Sequence, residues 1–139
     1  MKIAIINGPN LNLVGLREPH LYGNVSLDDY LNDLTTQFPQ VKFSLFQSNH
    51  EGDIIDELQR VGFDCDGIVL NAGGYTHTSI AIADAIRAIT APVVEVHITD
   101  IYSREPYRQV SMLAGACVRS IVGQGLDGYR MAVEHFTGK

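Results

Sequence analysis

Short apolar runs alternate with stretches of helical periodicity along most of the chain. The runs predict β-strands at residues 2–7, 41–47, 67–71, 93–98 and 117–122. Residues 41–47 alternate between apolar and polar positions, which indicates a strand with one exposed side, such as an edge strand. Residues 67–71 are apolar almost throughout, as in a strand that is covered on both faces.

Apolar residues at helical spacing predict helices at residues 26–38, 79–89 and 126–136, and a further helix between Ser48 and Gly62. Ser26 is the expected N-cap of the first helix, and Pro39 ends it. Ser48 and Glu51 have the spacing of a capping box, and Gly62 is the expected C-terminal signal of that helix.

Strands that alternate with helices form right-handed βαβ units and therefore a parallel sheet. Five strands fit a flavodoxin-like doubly wound α/β fold, with strand order 2-1-3-4-5 and helices on both faces. The length of 139 residues fits a single domain over residues 1–139. In such a sheet, ligands bind beyond the carboxyl ends of the strands, near the switch point between strands 1 and 3.

Composition and charge narrow the classes of function. The net charge of −6 argues against nucleic-acid binding, which needs a basic face, but a few gathered arginines could still bind a small anion. No apolar run approaches the ~20 residues that span a bilayer, so we expect no membrane partner. The first apolar run is too short for a signal peptide, and we expect a cytoplasmic location. Cys65 and Cys117 lie in or beside apolar stretches, where packing is their expected role.

The unusual polar residues follow strands 1, 3 and 4, so they collect at the carboxyl edge of the predicted sheet. They occupy residues 7–23, 71–77, 97–99 and 104–108. The lysines lie elsewhere: the chain has Lys2, Lys42 and Lys139. The first two begin strands at the opposite edge, which argues against a Schiff-base lysine.

Glu95 and His97 lie two residues apart in strand 4, so their side chains share a face. A carboxylate inside so apolar a strand needs a partner, and His97 is the nearest candidate. Such a pair suits a general acid or base, because the carboxylate fixes the imidazole tautomer. The alternative is a buried ion pair without chemistry, but the position at the strand's carboxyl end favours function.

Three further features each have two interpretations. Arg17 could keep the phenol of Tyr22 ionised, because a cation nearby lowers the pKa of a phenol from its usual ~10; on residue types alone, a loop arginine and a packing tyrosine fit better. Asn71 and His77 flank a Gly-Gly turn whose N–H groups could bind an oxygen, or the turn could serve only to cap helix 3 through Thr78 or Ser79. A zinc site of His77, His97 and Glu95 matches no standard spacing.

The motifs NGPNLNLVGLREPHLYG, NAGGYTHTSIAIADAI and EVHITDIYSREPYR, in this order and spacing, closely resemble those of the type II 3-dehydroquinate dehydratases. The resemblance extends through IVGQGLDGY and so covers essentially the whole chain. It implies reversible trans elimination of water from 3-dehydroquinate, through an enolate, to 3-dehydroshikimate. The reaction belongs to the shikimate pathway of aromatic amino acid biosynthesis or to quinate breakdown, and it uses no metal, cofactor or Schiff base.

The resemblance also implies the catalytic roles. Tyr22 is the base that removes the C2 proton, and Arg17 keeps its phenol ionised. Asn10 holds a water molecule that stabilises the enolate. His97 protonates the departing C1 hydroxyl group and is oriented by Glu95.

The same resemblance implies the binding residues and the assembly. Asn71, His77 and Arg108 bind the ring hydroxyls, and Ile98 and Thr99 bind the carboxylate. A lid loop covers residues 15–25 or so. The family forms homododecamers, as tetramers of trimers, in which the residue matching Asp84 reaches the neighbouring subunit's site.

This chain departs from the commoner family pattern after strand 4. Thr99 replaces a serine but keeps the hydroxyl. Asp100 places a negative charge near an anionic substrate, and Pro106 stiffens the turn before Arg108. We therefore expect Asp100→Asn to lower the KM.

Three other functions fit the sequence less well. An FMN or nucleotide module would need a phosphate-binding loop after strand 1, and none is present. A phospho-receiver would need an acidic pair where Asn7, Gly8 and Pro9 stand, and an aspartate in place of Asn71. A catalytically inactive relative would not be expected to retain Arg17, Tyr22 and His97.

Overall fold

Five parallel strands form one sheet whose two faces are covered by α-helices. The computed structural model describes residues 1–15 and 25–138. The strands are β1 (Lys2–Asn7), β2 (Lys42–Gln47), β3 (Gly67–Asn71), β4 (Val93–His97) and β5 (Arg119–Val122). The helices of the described ranges are α1 (Leu27–Thr36), α2 (Glu51–Val61), α3 (Ile80–Ala88) and α4 (Asp127–Thr137). None of these helices is long and apolar enough to cross a membrane.

The strand order is β2-β1-β3-β4-β5, and every neighbouring pair is parallel. This confirms the predicted doubly wound order and the predicted edge position of β2. The chain reverses its direction of travel across the sheet between β1 and β3, so a switch point lies at their carboxyl ends. Asn7 and Asn71 end these two strands and are register partners.

Two apolar layers hold the helices to the sheet. On one face, α1 and α4 pack against the sheet through Leu31, Leu34, Tyr129 and Val133. On the other face, α2 and α3 pack through Ile54, Leu58, Ile82 and Ile86. Each fully buried large aliphatic side chain contributes roughly 1.5–3 kcal/mol. The layers therefore fix the sheet rigidly enough for the strand ends to carry a site.

The N-caps of two helices follow the sequence. Ser26 Oγ accepts a hydrogen bond from the Asp29 amide at 3.0 Å, and Ser79 Oγ accepts one from the Ile82 amide at 2.9 Å. A 3₁₀ turn at Gly73–His77 separates β3 from α3. The Gly-Gly pair therefore does not open α3 itself, and Ser79 caps that helix.

The predicted capping box of Ser48 and Glu51 is wrong. His50 is the N-cap of α2 and makes no side-chain capping bond. Ser48 Oγ accepts from the His50 amide at 3.0 Å and donates to Asp53 Oδ2 at 2.8 Å. Glu51 accepts a short hydrogen bond from the Ser79 hydroxyl. The Glu51 carboxylate thus joins the first turn of α2 to the N-cap residue of α3.

Candidate active site

A cleft opens at the carboxyl ends of β1, β3 and β4. The space within it, counted out to its open mouth and including solvent, is about 590 Å³. Arg104, Arg108, His77 and His97 line it, and the described lining residues include no Asp or Glu. The cleft therefore favours an anionic ligand, although the chain carries a net charge of −6. The other lining residues are Pro9, Asn10, Leu11, Asn71, Gly73, Gly74, Ile98, Thr99 and Ile101.

The loops after β1 and β3 meet directly beneath this cleft. The Gly8 amide donates to the carbonyl of Asn71 at 2.7 Å. A Cβ atom on Gly8 would lie only 2.5 Å from the Ala72 carbonyl oxygen, which is closer than real Cβ contacts come. Glycine is therefore required here so that the two loops can form one floor.

Glu95 and His97 form a buried pair at the end of β4. His97 Nε2 lies 2.9 Å from Glu95 Oε2, and the two residues are 1% and 5% exposed. Glu95 also accepts hydrogen bonds from Ser120 at 2.5 Å and from Ser111 at 3.0 Å. The side chain of Glu95 therefore has donors on both carboxylate oxygens and cannot rotate without losing them.

This arrangement keeps Glu95 ionised. Burial alone would raise the pKa of its carboxyl group, but hydrogen bonds from His97, Ser120 and Ser111, together with the charge of His97, outweigh burial and lower the pKa below its ordinary value. An ionised carboxylate accepts hydrogen bonds only, so the proton of the pair lies on Nε2 of His97. Nδ1 is then the imidazole nitrogen left for a ligand in the cleft.

His77 lies beside His97 with its ring partly stacked. The two ring centroids are 6.5 Å apart, and His77 Nδ1 lies 2.8 Å from the carbonyl oxygen of Val110. A carbonyl can only accept, so Nδ1 carries a proton. In the neutral ring, Nε2 of His77 is consequently an acceptor that can receive a hydrogen bond from a ligand hydroxyl.

Asn71 is held from two sides. Its Oδ1 accepts from the Gly73 amide at 3.1 Å, and its Nδ2 donates to the hydroxyl of Tyr129 at 3.0 Å. Asn71 is 4% exposed and still lines the cleft. Its second N–H is therefore available to a ligand.

Asn10 lines the cleft and has an unusual backbone conformation. Its φ of 69° is the only positive value at a non-glycine residue in the described part of the chain. Asparagine is one of the few residues that tolerate this region. The Asn10 amide is anchored by Asn49 Oδ1 at 3.0 Å, so the side chain projects from a fixed backbone.

The loop after β4 supplies the cationic side of the cleft. Arg104 Nη1 donates to Thr99 Oγ1 at 3.4 Å, which leaves the hydroxyl proton of Thr99 to donate elsewhere. Arg108 Nε donates to Glu105 Oε2 at 2.8 Å. Both arginines line the cleft together with Ile98.

Comparison with known proteins identifies the family of this chain. The family model of Dehydroquinase class II matches residues 1–137. The chain belongs to the class II dehydroquinase family. The match spans almost the full sequence and confirms the family that the three motifs indicated.

Individual members of the family agree with this assignment. The chain is 51% identical over 144 residues to the 3-dehydroquinate dehydratase of Exiguobacterium sp., covering 100% of this chain and 99% of the relative. It is 46% identical over 135 residues to the catabolic 3-dehydroquinase of Aspergillus clavatus, covering 96% and 90% of the two chains. The crystal structure of the type II dehydroquinase from Butyrivibrio crossotus matches with a TM-score of 0.95 at 43% identity, over 99% of this chain and 97% of that chain.

The predicted site residues of this dehydroquinase fall into three groups. The cleft brings together Asn10, Asn71, His77, His97, Ile98, Thr99 and Arg108, with Glu95 behind His97. Arg17 and Tyr22, and most of the predicted lid, lie outside the described residues. Asp84 lies exposed on α3 and does not line this chain's own cleft.

Asp100 and Pro106 have local roles in the structure. Asp100 Oδ1 accepts from the Tyr102 amide at 3.0 Å and caps a short turn, and Asp100 is not among the lining residues. Pro106 begins the 3₁₀ turn Pro106–Arg108, where its fixed φ is suitable.

The zinc alternative finds no support in the geometry. Within residues 1–15 and 25–138, no group of three or more His, Cys, Asp or Glu side chains is placed to hold a metal ion. His97 Nε2 is occupied by Glu95, and His77 Nδ1 by a backbone carbonyl. One nitrogen of each ring is therefore already hydrogen-bonded within the protein.

Four supporting residues were missed by the sequence analysis. Arg104 was noted only as part of the loop, because a spacing of five residues from Thr99 in a loop predicts no contact. Ser111, Ser120 and Tyr129 carried no motif signal, because their partners Glu95 and Asn71 are distant in sequence. The roles of Ser120 and Tyr129 depend on β5 and α4 lying against β4 and β3, which no local pattern shows.

Proposed function

We propose that this chain is a 3-dehydroquinate dehydratase, which converts 3-dehydroquinate reversibly to 3-dehydroshikimate and water. The observation that carries the proposal is the Glu95–His97 pair at one wall of a cleft that favours anions. A proton donor beside such a cleft fits a carboxylate substrate that must lose a hydroxyl group. The family membership supports the same reaction.

Tyr22 is the proposed base. In this mechanism its phenolate removes the proton from C2, alpha to the ketone, and the electron pair passes into an enolate. Arg17 keeps the phenol ionised, because a permanent cation nearby lowers the pKa of a phenol. Asn10 holds the water molecule that stabilises the enolate oxygen.

His97 is the proposed acid. As the enolate collapses, the C1–O bond breaks and the leaving hydroxyl takes the proton from Nδ1, so that water departs. The imidazole is left with its proton on Nε2, facing Glu95. To restore the enzyme, Tyr22 then gives its proton to solvent and Nδ1 of His97 takes one up, so the proton transfers balance over each turnover.

The substrate is held by the rest of the cleft. Asn71, His77 and Arg108 bind the ring hydroxyls, with Nε2 of His77 as an acceptor. The backbone of Ile98 and the hydroxyl of Thr99 bind the carboxylate. We add Arg104 to this last group, because it donates to Thr99 and places a positive charge beside the same anion.

We further propose a closing lid at about residues 15–25, a cytoplasmic location, and a homododecamer built as a tetramer of trimers. The exposed position of Asp84 on α3 supports the assembly, because a residue that serves a neighbour's site must lie outside its own. Sedimentation tests the assembly directly. A monomer with full activity would overturn the role of Asp84.

The reaction itself has a direct test. Purified protein is mixed with 3-dehydroquinate, and the conjugated enone carboxylate of the product is followed by its ultraviolet absorption. We expect its absorption to grow, and absence of turnover would refute the function. Borohydride added with substrate should leave activity intact, whereas inactivation would indicate a lysine imine.

A further inference from the structure

The hydroxyl of Tyr129 lies in the core between the two strand ends at the switch point. Tyr129 is 0% exposed and reaches the sheet from α4. Its hydroxyl lies 2.5 Å from Asn7 Oδ1 and 3.0 Å from Asn71 Nδ2. One buried oxygen therefore bridges the last residues of β1 and β3, which are register partners.

The direction of every hydrogen bond in this cluster follows from one backbone group. The Gly73 amide can only donate, so the atom of Asn71 that faces it at 3.1 Å is the carbonyl oxygen. The amide nitrogen of Asn71 then faces Tyr129, whose oxygen must accept. The hydroxyl of Tyr129 therefore donates its single proton to Asn7, which accepts it through Oδ1. No other assignment satisfies all four groups.

Two fixed points determine the plane of a carboxamide, whereas one leaves it free to turn. In Asn71, Gly73 holds the oxygen and Tyr129 holds one N–H. The second N–H is then directed by the geometry of the group itself. Since Asn71 lines the cleft, that remaining N–H is the one a ligand meets.

We infer that Tyr129 is a positioning residue for substrate binding, which acts through Asn71 by holding its carboxamide in the orientation that donates to a ring hydroxyl. This inference rests on the proposed function, because it assigns Asn71 the substrate contact. The competing explanation is that Tyr129 only stabilises the core. That explanation predicts lower stability of the Tyr129→Phe variant and no selective effect on the substrate.

The test is a double-mutant cycle between Tyr129→Phe and Asn71→Ala, read as kcat and KM for 3-dehydroquinate. Tyr129→Phe keeps the ring and removes both hydrogen bonds. We expect it to raise the KM about tenfold and to change kcat less than about threefold, because the contact binds the ground state and the transition state alike. In the Asn71→Ala background, the same substitution should change the KM by less than about twofold.

Tyr30→Phe is the matched control. Tyr30 packs against the same apolar layer from α1 and does not line the cleft, so its variant should keep the wild-type KM. Equal effects of Tyr129→Phe in both backgrounds would overturn the inference, as would an unchanged KM. An unchanged KM in Asn71→Ala would overturn it as well.

A second variant tests the same bridge from its other end. Asn7→Ala removes the oxygen that takes the Tyr129 proton but leaves the Tyr129 oxygen as the acceptor of the Asn71 N–H. We expect the KM to stay within about threefold of the wild-type value, and a rise as large as that of Tyr129→Phe would count against the inference. Failure of the proposed function is distinguishable, because the wild-type protein would then show no turnover at all.

Discussion

His97 meets Glu95 through Nε2, at 2.9 Å, and so keeps Nδ1 for the cleft. The tautomer is thereby fixed by a carboxylate that the hydroxyls of Ser111 and Ser120 hold in place. The two nitrogens of His97 therefore have different roles: Nε2 anchors the ring to Glu95, and Nδ1 exchanges a proton in the proposed reaction. Several measurable consequences depend on it.

Glu95→Gln tests whether the carboxylate must be charged. The amide can still contact His97, but it no longer stabilises the imidazolium form, and we expect kcat to fall about 10²-fold. Rates measured from pH 6 to 9 check this. An unchanged kcat would reduce Glu95 to a packing residue.

Glu95→Gln should also change how the free energy of unfolding depends on pH. The pKa of Glu95 is lowered in the folded protein, so its contribution is complete above the ordinary carboxyl pKa and is lost as the pH falls through the lowered value. The free energy of unfolding of the wild-type protein should therefore exceed that of Glu95→Gln by about 2 kcal/mol at neutral pH. Urea unfolding at neutral pH and near pH 3 should show this gap narrowing in acid. A constant gap would contradict the prediction.

Ser120→Ala and Ser111→Ala separate the donors to Glu95. Each removes one hydrogen bond to the carboxylate, worth about 1–2 kcal/mol, so in each variant the acid limb of kcat should move to higher pH. Ser111 also accepts from the amides of Leu113 and Ala114. Ser111→Ala should consequently cost more thermal stability than Ser120→Ala. Equal melting temperatures would argue against this second role.

Tyr22→Phe removes the proposed base and no other polar group. Turnover should fall by at least about 10³-fold, while the substrate still binds, as measured by calorimetry. A variant that retains turnover would show that another group takes the C2 proton. Arg17→Lys is a useful companion, because a lysine keeps the charge but not the fixed shape of the guanidinium group.

Gly8→Ala tests the contact between the two loops. The new Cβ would meet the Ala72 carbonyl oxygen at 2.5 Å, so we expect a loss of about 2–4 kcal/mol in unfolding free energy and a distorted cleft. Gly52→Ala is the control, since nothing lies within 4 Å of its Cβ. Within helix α2 that change should stabilise the protein by about 0.5–1 kcal/mol.

Asp100→Asn tests the predicted effect of an extra negative charge. The amide can still cap the turn through its oxygen, so the fold should be unaffected. Because Asp100 is exposed and lies outside the lining of the cleft, solvent screens its charge and the KM should fall by less than about twofold. A tenfold decrease would mean that the carboxylate faces the substrate directly.

The sheet order and the motif-bearing loops followed from sequence because each depends on local signals. Alternating runs and breakers indicated βαβ units, and residues such as Asn71 and His97 stood at predicted strand ends. The hydrogen-bond partners that hold the site residues in place could not be predicted from the sequence. Ser120 is 25 positions from its partner Glu95, and Tyr129 is 58 positions from its partner Asn71. Glu51 accepts a hydrogen bond from Ser79, at the start of another helix. Such contacts depend on tertiary packing, which local sequence patterns do not reveal.

The bridge through Tyr129 also has a consequence for synthesis of the chain. Asn7 and Tyr129 are 122 positions apart, so the first strand leaves the ribosome long before the helix that completes its carboxyl end. A nascent chain can build the sheet from β1 to β4 and still lack the hydroxyl that joins Asn7 to Asn71, because long-range contacts form after local ones. Full affinity for the substrate should therefore be reached last, when α4 docks against the sheet.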